Sequence, residues 1–182
     1  MTVSAFSPFK HRIFTMLWIA TLVSNIGTWM FNVTSGWVMT GLSSSPVMIS
    51  MVQAATTLPV FLFALPAGAL GDLFDRRKLL ICTQVFLAAV LLLFTALLWS
   101  GSVNAWILLL FTFVIGTGSA FAMPAWQAIV PRLVPRDTLS SAIVLNGISM
   151  NIARAIGPAL GGFILAAAGA VATAFLDAIS YL

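Results

Sequence analysis

The chain has 182 residues, of which 61% are hydrophobic and only 7% are charged, and its mean hydropathy is +1.11. A typical soluble domain carries about 25% charged residues, so this composition excludes a soluble domain and indicates an integral membrane protein. The net charge of +4 does not indicate nucleic-acid binding, because the basic residues lie at the ends of apolar runs rather than on one polar face.

Long uncharged apolar runs separated by short polar turns predict the membrane spans in chain order. A bilayer core about 30 Å thick requires roughly 20 apolar residues per helix. The sequence predicts a polar amino-terminal tail over residues 1–12 and an all-α membrane domain over residues 13–182. The predicted spans are residues 13–39, 47–70, 79–98, 105–130, 138–168 and 170–182. The last one reaches only about 20 Å at 1.5 Å per residue, so we expect an incomplete sixth helix.

The basic residues predict the orientation of these spans. All of them except Arg154 fall in the tail and in alternate connections, whereas the two intervening turns, 41–46 and 100–104, carry no charge. Lys and Arg in short loops mark the cytoplasmic side. We therefore expect a multi-pass protein of the plasma (inner) membrane with a cytoplasmic amino terminus. The residues that follow this pattern are Lys10, Arg12, Arg76, Arg77, Lys78, Arg132 and Arg136.

The densest group of charges lies in residues 66–80, PAGALGDLFDRRKLL, which the sequence predicts as a short loop between the second and third spans. Asp72 ends the second span, where the helix dipole disfavours an anion, and the arginines that follow are near enough to stabilise it. Gly68 and Gly71 lack side chains and would let another helix approach closely. A positive-inside loop with solvated charges is the simpler alternative.

This stretch resembles the loop signature of the major facilitator superfamily between its second and third helices, G-x-L-a-D-r-x-G-R-R-K. The matching residues are Gly68, Leu70, Asp72, Arg76, Arg77 and Lys78. Leu73 and Asp75 stand where a basic residue and a glycine are usual. The resemblance implies that Asp72 and the basic cluster, with Gly68 and Gly71, form a cytoplasmic gate that holds two halves of a transporter together when it is open outward.

The fifth span contains ARAIGPALGG, residues 153–162, which resembles the antiporter motif g-x-x-x-G-P-x-x-G-G of the same superfamily, with alanine at its first glycine. The motif residues are Ala153, Gly157, Pro158, Gly161 and Gly162. Small residues at i, i+4 and i+8 predict a face for close helix packing, and the proline permits a kink. The resemblance implies export of a substrate in exchange for protons.

Polar residues at helical spacing inside the predicted spans, such as the stripe of Asn25, Thr28 and Asn32 in the first span, predict a central cavity. Arg154 lies roughly midway along the fifth span, where an unpaired guanidinium costs at least a few kcal/mol. Asp177 is the only acid predicted within the membrane, and it either titrates as a proton carrier or pairs with Arg154 as a fixed bridge. With nearby aromatic residues, such a cavity suits a bulky, partly apolar molecule. The candidate cavity and coupling residues are Asn25, Asn32, Gln53, Asn151, Arg154 and Asp177.

Nearly the whole chain resembles the branch of the superfamily that contains the enterobactin exporter and related secretion proteins. The resemblance implies the six-helix amino-terminal half of a major facilitator fold, built from two inverted three-helix repeats. Weak matches at offsets near ninety residues, such as Ile26-Gly27-Thr28 with Ile115-Gly116-Thr117, support the repeat.

This fold implies secondary active transport by alternating access, with export of a siderophore or drug-like molecule. We expect no cofactor and no metal, and an ion gradient, of protons by the antiporter motif, as the energy source. The expected partners are a small-molecule substrate, the lipid bilayer and a carboxyl-terminal six-helix half, with no nucleic acid. A membrane module that only associates with partner helices is the alternative. Six further spans beyond Leu182 would favour the transporter, and a genuine stop there would favour the module. The single histidine, His11, and the absence of a nucleophile motif argue against an enzyme.

Overall fold

The computed structural model describes residues 6–182, except for the side chain of Asp72, and this part of the chain contains helices and no strand. A short 3-10 helix, Ser7–Lys10, precedes five long helices. These are α1 (Arg12–Leu42), α2 (Pro46–Leu73), α3 (Arg76–Trp99), α4 (Ala105–Leu133) and α5 (Leu139–Ser180). All five are long and apolar enough to cross a membrane, so the predicted all-α, multi-pass membrane fold is confirmed.

The connection between α2 and α3 is much shorter than the sequence predicts. α2 continues to Leu73 and α3 begins at Arg76, so only Phe74 and Asp75 separate them and the prediction of a loop over residues 66–80 is wrong. The turn is tight because Asp75 caps α3 and satisfies two backbone N–H groups that would otherwise lack partners.

α5 consists of two segments that meet at Gly169, whose φ of 80° and ψ of 175° are accessible to glycine and strained for other residues. Eight residues before this break, Gly161 packs against Met30 of α1, and eight residues after it, Asp177 packs against Gly27 of α1. The chain therefore reverses direction at Gly169. We call residues 139–168 the pre-break segment and residues 170–180 the post-break segment, and they correspond to the predicted fifth and sixth spans.

The helices pack in pairs around an apolar core. α1 lies along α5, α2 lies along α4, and α3 contacts both α4 and α5. The ring of Phe94 in α3 contacts Phe31 of α1 edge-on, with 5.7 Å between centroids, and Phe111 of α4 at 5.3 Å. Outward-facing apolar residues such as Phe61 and Leu65 of α2 fit a surface that faces lipid or other helices.

The small residues of the antiporter-like motif bring α5 against α1. Ala153, Gly157 and Gly161 are buried, as their spacing predicts. A Cβ atom on Gly157 would lie 2.5 Å from Cβ of Trp29, and one on Gly161 would lie 2.8 Å from Cα of Met30. By contrast, a Cβ on Gly162 would have no neighbour within 4 Å. Gly157 and Gly161 therefore permit the close approach, and Gly162 lies outside it.

The other glycine pair, in α2, makes no comparable contact within the described residues. No atom lies within 4 Å of a Cβ built on Gly68, and the nearest atom to one on Gly71 is Cβ of Pro124 in α4, at 4.0 Å. The backbone of α2 at Gly68 is thus open to a further helix, and at Gly71 it is in ordinary contact with α4.

We expect Gly161→Ala to lower the free energy of unfolding by about 1–3 kcal/mol, because the added methyl group would have to displace the backbone of α1. Gly162→Ala is the matched control, since it adds the same methyl group to open space one residue further on. This control should be neutral, or stabilising by up to about 1 kcal/mol through the better helix propensity of alanine. Thermal unfolding of both variants in detergent measures the difference, and equal destabilisation would contradict the packing described here.

Candidate functional site

The α2–α3 and α4–α5 connections form one end of the helix bundle, which we call the basic end. There, Arg76 joins three helices: its Nε donates to the carbonyl of Gly71 in α2 at 3.5 Å, and its Nη1 donates to the carbonyl of Ala128 in α4 at 3.3 Å. The side chains of Arg77 and Lys78 are exposed instead. The three basic residues of the predicted gate therefore differ in their surroundings, and Arg76 of α3 is hydrogen-bonded to both α2 and α4.

The cap on α3 explains why Asp75 stands where the superfamily motif usually has glycine. Its Oδ1 accepts hydrogen bonds from the backbone N–H of Lys78 at 3.2 Å and of Arg77 at 2.9 Å. These bonds hold the pKa of Asp75 below its ordinary value. A side-chain cap thus starts α3 where the motif usually has glycine.

A cluster of polar side chains joins α1 to the post-break segment. The Ser24 hydroxyl donates to the carbonyl of Ser180 at 2.5 Å, and the hydroxyls of Thr28 and Tyr181 are 2.7 Å apart. The Ser180 hydroxyl donates to the carbonyl of Asp177 at 2.7 Å and lies 3.4 Å from Asp177 Oδ1. We call these five residues the polar cluster. They are partly or fully buried within an otherwise apolar helix contact.

Asp177 is the most buried member of the polar cluster. It is 0% exposed, and its Oδ2 has no hydrogen-bond partner in the described part of the chain. Its Oδ1 occupies the space that a side chain on Gly27 would need. A carboxylate charge buried without a partner costs several kcal/mol, so this group needs a proton, a cation or an opening to water.

Arg154 is not paired with Asp177, so of the two roles that the sequence leaves open for Asp177 the fixed bridge is wrong. The guanidinium of Arg154 lies over the indole ring of Trp29, with Cζ 5.4 Å from the ring centroid, and the residue is exposed. Trp29 and Gly27 are two positions apart on α1 and point about 200° apart. Because Arg154 packs beside Trp29 and Asp177 packs on Gly27, α1 separates the two charges.

Three of the predicted polar residues share a helix face with Trp29 or Arg154. Asn25 and Asn32 share the face of α1 that carries Trp29, and Asn151 precedes Arg154 by about one turn of α5. All three are partly or fully exposed, and their side chains make no hydrogen bond within residues 6–182. We call these residues the Arg154 face: Asn25, Trp29, Asn32, Asn151 and Arg154. Gln53 is exposed on α2, which does not contact α5, and so lies apart from it.

The sequence-based reasoning missed Ser24, Ser180 and Tyr181. A signal for two of them was available, because Asp177, Ser180 and Tyr181 are spaced at i, i+3 and i+4 and so share one face of an apolar helix. Thr28 was predicted to share a polar stripe with Asn25 and Asn32. In the structure it faces the post-break segment instead.

Five helices that are long and apolar enough to cross a membrane define a multi-pass helical membrane protein. The chain belongs to the transmembrane secretion effector family, whose profile matches residues 3–182. The resemblance to this branch of the major facilitator superfamily, predicted from residues 66–80 and 153–162, is confirmed. No solved structure matches the chain significantly.

Several curated proteins are similar to the chain. The Staphyloferrin A transporter of Staphylococcus aureus is 28% identical over 159 residues, which are 86% of this chain and 40% of the relative. Macrolide efflux protein A of Streptococcus pyogenes is 25% identical over 155 residues, 85% of this chain and 38% of the relative. The multidrug efflux pump Tap of Mycobacterium tuberculosis is 24% identical over 172 residues, 91% of this chain and 41% of the relative.

The chain thus spans about two fifths of the length of these curated relatives. Their names describe transport and efflux rather than catalysis, and the prediction that the chain is not an enzyme is confirmed.

We expect Asp75→Ala to lower the melting temperature, because it leaves the first N–H groups of α3 uncapped, whereas Asp75→Asn should retain most of the cap. Hydrogen bonding lowers the pKa of Asp75 in the folded state, so the contribution of the carboxylate is present above about pH 4 and is lost as the pH falls through the lower, folded pKa. Unfolding scans from pH 7 to pH 3 should show the advantage of the wild type over Asp75→Asn shrinking. A constant difference across this range would contradict the cap.

Proposed function

We propose that the chain forms the amino-terminal six-helix half of a proton-coupled exporter of a siderophore or drug-like small molecule, which works by alternating access. Family membership and the transport and efflux named in its relatives support an efflux transporter. The observation that carries proton coupling is the buried Asp177 with its unpartnered Oδ2. No cofactor enters this proposal, and the energy source is the proton gradient.

The second half of the proposed transporter would face the open surface of this one. Alternating access in this class requires two helical units that rock about a site near the bilayer midplane. The relatives are about two and a half times as long as the matched region, which leaves room for a second unit. The exposed polar residues of the Arg154 face, together with Gln53, would line the path between the halves.

The orientation belongs to the same proposal. The basic end carries the charged connections, and Lys and Arg in short loops favour the cytoplasmic side. The protein would then lie in the plasma (inner) membrane, with its amino terminus and the Arg76 contacts in the cytoplasm.

Proton binding at Asp177 would act on the contact between α1 and the post-break segment. A protonated carboxyl group can stay packed on Gly27 beside the Ser180 hydroxyl. An ionised one needs water or a cation, which the closed contact does not supply. Loss of the proton would therefore loosen this contact and favour the state in which water reaches Asp177.

The basic end would supply the gate. Asp72 lies in the last turn of α2, and Arg76 already links the ends of α2, α3 and α4 through backbone carbonyls. We propose that Asp72, with Gly68, Gly71, Arg76, Arg77 and Lys78, holds the two halves together at this end in the outward-open state. The open backbone at Gly68 leaves room for a helix of the second half.

We expect Asp177→Asn to abolish gradient-driven transport, because an amide can occupy the same space but cannot release a proton. Exchange of substrate across the membrane without a gradient should persist. The measurement is efflux of a panel of siderophores and dyes by the complete protein in proteoliposomes, with an imposed or collapsed pH gradient. Asp137→Asn, which removes an exposed carboxylate from the α4–α5 connection, is the control and should transport normally. Full gradient-driven efflux by Asp177→Asn would refute the proton-site assignment.

Asp72→Asn should abolish transport while the protein still inserts normally, because the proposed gate depends on the charge at this position. Asp75→Asn is the matched control, since it neutralises a neighbouring carboxylate that only caps α3. The readouts are membrane-fraction abundance and initial efflux rate. Wild-type rates in Asp72→Asn would remove the gate from the proposal.

A further inference from the structure

The Arg154 guanidinium lies where a bilayer tolerates charge least. Arg154 is fifteen residues from Leu139 and fifteen from Gly169, the two ends of the pre-break segment. Either end is therefore about 20 Å away along the helix, too far for the side chain to reach the membrane surface. An exposed guanidinium at this depth needs an aqueous cavity or an anionic partner.

Trp29 fixes the guanidinium in place without neutralising it. Gly157, one turn after Arg154, lets the Trp29 side chain pack directly on α5, since a Cβ there would lie 2.5 Å from Cβ of Trp29. The indole ring then lies under the guanidinium, 5.4 Å from Cζ. This cation–π contact covers one face of the group and leaves its in-plane N–H donors available.

The chain supplies no counter-ion to Arg154 in its described part. Asp75 caps α3, and Asp137 lies in the connection between α4 and α5. Asp177 is buried on the opposite side of α1. Asp72 is in the last turn of α2, a helix that does not contact α5.

The residues around the guanidinium suit an organic anion. Asn25 and Asn32 flank Trp29 along α1, and Asn151 lies on the turn before Arg154, so three amide groups share these helix faces with the charge and none has a side-chain hydrogen bond within residues 6–182. A guanidinium binds a carboxylate through two parallel hydrogen bonds, and an exposed indole edge offers an apolar surface beside it. An organic cation would meet like charge at the same position.

We propose that the Arg154 face binds the carboxylate of an anionic organic substrate. The proposal rests on the proposed function and specifies its substrate class: carboxylate-bearing organic anions rather than organic cations. Arg154 supplies the charge and the hydrogen-bond fork, Trp29 holds the fork in place, and the three asparagines complete the polar surroundings.

The test uses the complete protein, purified in detergent, and two dyes of opposite charge. Carboxyfluorescein carries the carboxylate, ethidium carries a positive charge, and fluorescence anisotropy measures the binding of each. Arg154→Gln should weaken carboxyfluorescein binding about ten- to hundredfold and leave ethidium binding unchanged or stronger. Arg154→Lys should fall between, because it keeps the charge and loses the fork. Arg12→Gln, which removes one positive charge from the start of α1, is the control and should bind like the wild type.

Three results would overturn the proposal. One is the absence of carboxyfluorescein binding by the wild type, and another is equal weakening of both dyes by Arg154→Gln. The third is a fall in melting temperature for Arg154→Gln with unchanged affinity for carboxyfluorescein, which would make Arg154 a fixed ion-pair partner of another segment. Failure of the proposed function would give a different result: carboxyfluorescein would still bind through Arg154, but a pH gradient would not drive its export.

Discussion

The close contact between α1 and α5 through Gly157 and Gly161 determines the positions of the groups that matter here. It brings Trp29 under the guanidinium of Arg154 on one side of α1. Because the chain then reverses at Gly169, the same helix returns along α1 and buries Asp177 on Gly27. A larger residue at either motif glycine would push α1 away and disturb both places together.

This arrangement gives α1 a central position in the proposed mechanism. Arg154, the proposed substrate-binding charge, and Asp177, the proposed proton-binding group, lie on opposite sides of α1, where Trp29 and Gly27 are less than one helical turn apart. Neither group needs to touch the other for their states to be linked. A small displacement or rotation of α1 would change the packing of both, and the proposed mechanism uses α1 as an element that both sites could bias.

Sequence reasoning succeeded where the bilayer alone sets the answer and failed where tertiary contacts do. Membrane thickness fixes the length of apolar runs, so hydropathy predicts the helices well. Helical spacing also predicts that Ala153, Gly157 and Gly161 form one packing face. Spacing gives only relative angles, however, and cannot tell which neighbour a face meets. For this reason, spacing groups Thr28 with Asn25 and Asn32, although Thr28 contacts Tyr181 in the structure. Spacing also leaves open whether Arg154 pairs with Asp177, and in the structure α1 separates them.

Two similar glycine contacts, one on α1 and one on α4, show whether helix packing requires a carboxyl group at position 177. Gly27 of α1 meets Asp177, and Gly118 of α4 meets Leu87 of α3 in the same way, with the glycines 91 residues apart and their partners 90 residues apart. At the second contact, a leucine side chain fills the space over the glycine and the helices pack well. Packing therefore does not require a carboxyl group at position 177, and burying one there costs stability. An apolar side chain would serve the fold at this position, so the presence of a costly carboxyl group there supports the proposed role of Asp177 in proton exchange.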